Sequence, residues 1–238
     1  MARTKKPSRM RAEIIIAASE LFFEKGFSKT TSSEVCKKAN VGTGNLTFYF
    51  PTKEHMLAVL VHMMCDYQWK EMEKAADEGK SSLLAYCLEL TTLVAISDEI
   101  EQMSDFLAAA YAHPMSLDII RANDFDKIKQ VFSDYVPNWT DEQFTETESF
   151  ISGIEYAAIM RTDHSVSVEN RITGALNIIL TLFGVPEETR KIKIEKVLSM
   201  DYRAIARRVY ESFKQYVTET NEHALEEILN NTKIKSYK

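Results

Sequence analysis

The seven residues from Thr43 to Tyr49 read Thr-Gly-Asn-Leu-Thr-Phe-Tyr. In a helix with Leu46 turned inward, Thr43, Gly44, Asn45, Thr47 and Tyr49 form the exposed face. Hydroxyls, an amide and a glycine make that face small and hydrogen-bonding, the chemistry by which a helix in a major groove meets base edges. Little else in the chain is spaced for chemistry. His62-x-x-Cys65 sets two metal-binding side chains one helical turn apart, but two ligands do not close a site. Cys36, Cys65 and Cys87 are too scattered for a disulfide framework or a zinc site. No G-x-S-x-G, P-loop, dinucleotide fingerprint or HExxH run occurs, and His113 and His164 have no evident partners. The expectation is a protein that is not an enzyme and uses no metal or cofactor.

Charge supports a polyanion partner for one end only. Residues 1–55 hold ten Lys/Arg against five Asp/Glu, net +5, and residues 56–238 hold nineteen against thirty, net −11. A basic head on an acidic body suits a head that meets nucleic acid and a body that does not. Arg3, Lys5, Lys6, Arg9 and Arg11 form an arm with no acid among them, which either reaches DNA or is a solvated tail.

The elements that position this face follow from periodicity and punctuation. Ile14, Ala17, Ala18, Leu21 and Phe22 recur at i, i+3, i+4 and i+7 between Arg9 and Lys25, one apolar face of a helix. Gly26 suits the left-handed residue past its end. Thr31-x-x-Glu34 is a capping box opening a short helix to Ala39. Asn40-Val41-Gly42 breaks it, Thr43–Tyr49 follows, and Pro51-Thr52 caps a further helix from Lys53. Two short helices joined by a tight turn and packed on a longer one constitute a helix-turn-helix. Val35, Ala39, Val41, Leu46 and Phe50 make its small core, with Phe48 also expected inside.

The series Ala17-Ala18, Leu21-Phe22, Glu24-Lys25-Gly26-Phe27, Thr31, Val35, Ala39, Val41, Gly44, Leu46 and Tyr49-Phe50-Pro51-Thr52-Lys53-Glu54, with Leu57, resembles the N-terminal domain of TetR-family transcriptional regulators. The resemblance spans about residues 10–60 without gaps. It implies that Thr43, Gly44 and Thr47 meet base edges and that Asn45, Tyr49 and Lys53 grip phosphates. Thr31 caps its helix and could also touch the DNA backbone. Gly42 stands where the family often has Ser, Asn40 where it often has Gly, and Thr47 where it commonly has Tyr, so base readout should depart from the common pattern.

Beyond residue 60 the guide is helical periodicity. The chain has only 7 Gly and 5 Pro, too few for the regular turns of a β-rich or alternating fold. With 45% apolar residues, it can bury sizeable cores. The expected class is all-α: a three-helix helix-turn-helix domain (1–55), then a helical ligand-binding and dimerisation domain (56–238). Helices are expected over Lys53–Glu78, Ser81–Ser97, Glu99–Ala112, Asp124–Val136, Asp141–Arg161, Ser167–Phe183, Glu187–Met200 and Tyr202–Glu219, with a tail that adds one turn or frays. Breaks are expected at His113-Pro114, Pro137 and Asp163-His164. No apolar run reaches the roughly 20 residues that span a bilayer, so a cytoplasmic protein with no membrane partner is expected.

The resemblance implies a homodimer paired through two late helices. The segments 144–161 and 167–183 are the candidates, since both are unusually apolar and carry a mid-helix glycine, Gly153 or Gly174. Such a glycine costs about 1 kcal/mol relative to alanine, offset either by a second backbone approaching closely or by packing within one subunit. Trp69, Glu89, Met103, Phe106, Tyr111 and Tyr156, with Tyr67, are candidates to line an effector pocket or simply to fill the core. Glu89 and Glu155 lie in apolar surroundings, where an unpaired carboxylate is costly, so each either pairs internally or awaits a cation. The resulting expectation is a homodimeric repressor released from a pseudo-palindromic DNA operator by an unknown small molecule. The alternative is a helical adaptor without sequence-specific DNA binding.

Overall fold

A computed structural model describes residues 7–79, 82–160, 165–220 and 222–231. Arg3, Lys5 and Lys6 of the basic arm and the expected break at Asp163-His164 lie outside them. The described residues form helices and no strand.

The head is built from its punctuation. In α1 (Pro7–Lys25), Ile14, Ile15, Ala18 and Phe22 are buried. The helix stops at Gly26, whose φ of +96° suits a residue without Cβ. Both halves of the capping box open α2 (Ser32–Ala39), which ends at Asn40 in the left-handed region, φ 52°. Val41 then leads to α3 (Thr43–Tyr49), where Gly42 is the N-cap and gives no side-chain hydrogen bond. Thr52 is the N-cap of α4 (Lys53–Ala76) by backbone conformation alone. Its hydroxyl lies 3.0 Å from His55 Nδ1 instead. Asp77 closes α4 in the left-handed region at φ 53°, two residues ahead of the expected Gly79.

The body wraps one helix. From Leu83 to Ile96, all but Leu93 are buried on α5 (Leu83–Glu99), as befits a helix apolar on every side. Around it pack α4, α6 (Glu101–Ala112), α8 (Asp141–Ile159), α9 (Val168–Leu182), α10 (Glu187–Ser199) and α11 (Tyr202–Glu219). Most bounds fall within two residues of expectation, but α7 (Pro114–Phe132) does not. It begins ten residues before the expected Asp124, because Pro114 occupies its first turn. Proline there gives up only an N–H that has no helical partner, so it starts this helix as well as ending the one before. The tail forms α12 (Glu222–Asn231) rather than a single turn, and it packs back on α1 and α4.

Candidate nucleic-acid interface and effector cavity

Within the head, Val35, Ala39, Leu46 and Phe50 are buried together and Val41 half-buried. This leaves Thr43, Gly44, Asn45 and Thr47 exposed on α3 and Tyr49 half-buried. The Thr47 hydroxyl donates to Thr43 O at 3.0 Å, so in the free protein its hydrogen turns back to the helix. Arg11 of α1 sits 5.8 Å from the Tyr49 ring centre, which brings one residue of the basic arm to the exposed face of α3. Phe48 departs from expectation: it is 79% exposed while Phe50 is 1% exposed. Two residues subtend about 200° on a helix, so only one can face the core, and Leu46 with Phe50, four apart, takes that side.

Lys53 is less free than its place at a helix start suggests. Its Nζ donates to Phe27 O at 2.7 Å and to Thr30 O at 3.0 Å, and lies 4.1 Å from the Phe27 ring centre. Burial holds its ammonium below the usual lysine range, partly offset by Glu54. Two of three N–H donors thus tie the α1–α2 loop to α4, leaving one. Thr31 is exposed at the cap of α2, its N–H donating to Glu34 Oε2 at 2.9 Å. Lys25 and Thr31 hold the Glu34 carboxyl down at about 2.

In the body, a small cavity lies between α4, α5, α6, α7 and α8. Glu89 and Tyr111 of the expected pocket residues line it, together with Tyr86, Asp124, Lys127 and Glu155. Lys127 Nζ donates to Glu89 Oε2 at 2.6 Å and Asp124 Oδ1 at 2.7 Å, so Glu89 is paired internally. Burial pushes Glu89 up, with Lys127 opposing. Burial likewise lowers Lys127, but Asp124 and Glu89 outweigh it and raise the ammonium above its usual range. The Tyr111 hydroxyl donates to Glu155 Oε2 at 3.0 Å.

A second, apolar cavity adjoins the first through Met64, Gln68 and Leu93, and Tyr67, Met103 and Phe213 line it. The other expected pocket residues lie elsewhere. Phe106 packs 5.8 Å from Phe23 of α1, Trp69 stands beside Lys127 at 5.2 Å, and Tyr156 is 40% exposed. Asp124, Lys127 and Tyr86 were missed from sequence. A signal existed: Ile120, Asp124, Ile128 and Val131 share the buried face of α7 with Lys127, a stripe hidden while the helix was begun at Asp124.

One helix joins cavity and head. Met103, Leu107 and Tyr111 of α6 line the cavities, while Asp105 accepts from the Ser28 N–H at 2.8 Å and from the Ser28 hydroxyl. Glu101 pairs with Lys29 at 3.0 Å.

Comparison with known proteins places this head. Residues 14–60 match the family model described as bacterial regulatory proteins, tetR family. The chain is 30% identical over 95 residues to the HTH-type transcriptional regulator YuxN of Bacillus subtilis, covering 40% of this chain and 32% of that one. It is 29% identical over 87 residues to the HTH-type transcriptional regulator QacR of Staphylococcus aureus, covering 35% and 46%. The chain's matches thus span 32% and 46% of the length of these curated relatives. In fold it is similar to RolR, solved in complex with resorcinol: TM-score 0.64, 18% identity, 81% of this chain and 96% of that one covered.

Proposed function

From the match of residues 14–60 to the tetR-family model we propose that the chain is a TetR-family transcriptional regulator, a homodimeric repressor released from a pseudo-palindromic operator by a small molecule. The observation that carries the reading is α6, which supplies walls to both cavities and hydrogen bonds to the loop before α2. A ligand preferring one position of α6 shifts the head with it, and where DNA prefers the other position, linkage makes each weaken the binding of the other.

In this reading residues 1–55 are the DNA-binding domain and 56–238 the effector and dimerisation domain. Thr43, Gly44 and Thr47 meet base edges, Asn45, Tyr49 and Lys53 meet phosphates, and Thr31 adds a backbone contact beside its cap. The exposed outer faces of α8 and α9 support a dimer. Phe150 is 63%, Ile178 53% and Leu182 40% exposed, and a Cβ on Gly153 or Gly174 would meet nothing within 4 Å. Apolar side chains grouped beside glycines on two neighbouring helices suit close helix packing across a two-fold axis. A dimer also places two reading helices on half-sites a helical turn or a multiple apart. RolR was solved with resorcinol, and a small organic effector here follows by analogy.

The test is fluorescence anisotropy of the full chain with DNA from upstream of its own gene against random DNA of equal length, over a range of salt. A specific complex weakening steeply as salt releases counterions is expected. Equal affinity for both DNAs would favour the adaptor reading.

A further inference from the structure

Acidic side chains outnumber basic ones around the first of these cavities. Glu89 on α5, Asp124 and Lys127 on α7 and Glu155 on α8 all line it and are all buried. Lys127 is spent on Glu89 and Asp124. The nearby Arg121 turns to Glu148 at 3.6 Å and to the Ser152 hydroxyl at 3.2 Å. Glu155 has the Tyr111 hydroxyl and, among the described residues, no cation.

A second group in the same wall lacks a partner. Tyr86 lines this cavity and is 3% exposed, and its hydroxyl oxygen makes no hydrogen bond. Buried hydroxyls are nearly always satisfied, so an unsatisfied one on a cavity-lining residue, in the same wall as an acid that makes no ion pair, marks where a ligand's polar head belongs. The head that suits both is an ammonium: its charge meets the carboxylate, and its N–H groups donate to Glu155 and to the phenol oxygen. Across the wall shared at Met64, Gln68 and Leu93 lies the second cavity, whose apolar lining suits an apolar body.

We propose that the effector is an organic ammonium ion with an apolar body, its head held between Glu155 and Tyr86 and its body lying toward Met103 and Phe213. This rests on the ligand-responsive reading above and names the class of ligand. The free protein is prepared for such a guest. Burial, with Asp124 adding to it and Lys127 opposing, holds the Glu155 carboxyl above its usual range. The groups facing it are Tyr86 and Glu89 on α5, Asp124 and Lys127 on α7, Tyr111 on α6 and Cys65 on α4. Of these only Lys127 is cationic. When the ammonium enters, the carboxylic acid ionises and its proton leaves to solvent, so one positive charge replaces another and affinity strengthens as pH rises.

The experiment is calorimetry on the full chain with three probes sharing one ring and chain: phenethylamine, 2-phenylethanol and phenylacetate. The amine is expected to bind saturably, at least tenfold more tightly than the alcohol or the acid. Titration in two buffers of different ionisation heat should report release of up to one proton per amine. Glu155→Gln keeps an acceptor for Tyr111, and with an unchanged circular dichroism spectrum it should lose at least tenfold in amine affinity and the proton release. Tyr86→Phe should lose several-fold. Equal or tighter binding of the alcohol or acid, no amine binding at millimolar concentration, or unchanged amine affinity in Glu155→Gln would each overturn the proposal. Anisotropy on the same samples separates the two claims. DNA binding without amine binding sinks the ammonium site and leaves the regulator, whereas amine binding without DNA binding does the reverse.

Discussion

Gly26 and Asp105 meet where the head rests on the body: a Cβ on Gly26 would lie 2.7 Å from Asp105 Oδ2. That oxygen also accepts the 2.8 Å hydrogen bond from the Ser28 N–H. The glycine is therefore required twice, by its positive φ and by the carboxylate above it. Gly26→Ala should cost about 1–2 kcal/mol from the left-handed backbone alone, read as a lower melting temperature. It should also weaken the coupling between ligand and DNA. Asp105→Ala, which leaves the backbone unstrained, should reproduce the loss of coupling with a smaller loss of stability. Intact coupling in both variants would remove this contact from the mechanism.

Phe48 and Phe50 give opposite results on substitution. Phe50→Ala empties a fully buried site and should cost about 3–5 kcal/mol, enough to melt the head. Phe48→Ala touches an exposed ring and should change stability by less than about 0.5 kcal/mol. Urea titration followed by circular dichroism reads both.

Lys53 differs from its neighbours in carrying structure as well as charge. Asn45→Ala and Tyr49→Phe should weaken operator binding while the melting temperature stays within about 2 °C, the scale of a small surface change. Lys53→Ala should do both, because it also releases the Phe27 and Thr30 carbonyls. Its salt slope should fall by about one unit for the lost phosphate contact. A Lys53→Ala protein with an unchanged slope would restrict this lysine to holding the loop.

The exposed face of α8 and α9 is tested by charge. Ile178→Glu adds an acid to a half-exposed apolar position, so the single subunit should fold normally. In a dimer paired through this face, two copies of the charge would be brought together and buried. Sedimentation should show a shift to monomer, with operator affinity falling at least tenfold. A dimer that survives the substitution is paired elsewhere.

Glu148 sets a pH dependence. Burial, with Asp124 adding and Arg121 opposing, pushes its carboxyl from 4.5 up to about 8. A folded-state pKa above the unfolded one gives stability that is full below about 4.5 and lost as pH rises through about 8. Wild type should therefore lose more melting temperature between pH 5 and pH 8.5 than Glu148→Gln does. Comparing the two cancels groups of opposite sign such as His55, which burial lowers. Parallel curves would assign the carboxyl no share of the slope.

The head was legible in sequence because its signals are local. A capping box needs residues three apart, a left-handed stop needs one Gly or Asn, and the bounds of α2 and α3 follow from these alone. Pro114 misled for the same local reason, since proline is compatible with a helix start as well as an end, and only the packing of α7 against α4 and α8 chooses. The glycines of α8 and α9 were also visible, but periodicity does not tell a face turned to solvent from one turned to a neighbour.

The sequence by itself determined the class of fold, the helix-turn-helix head and its hydrogen-bonding face, because i, i+3 and i+4 interactions and chain ends are encoded in neighbouring residues. Only the tertiary structure decided that Glu89 meets Lys127 across 38 positions, that Glu155 does not, and that Phe48 faces outward. Those outcomes depend on which helix faces meet, and no spacing along one helix states what another will bring to it.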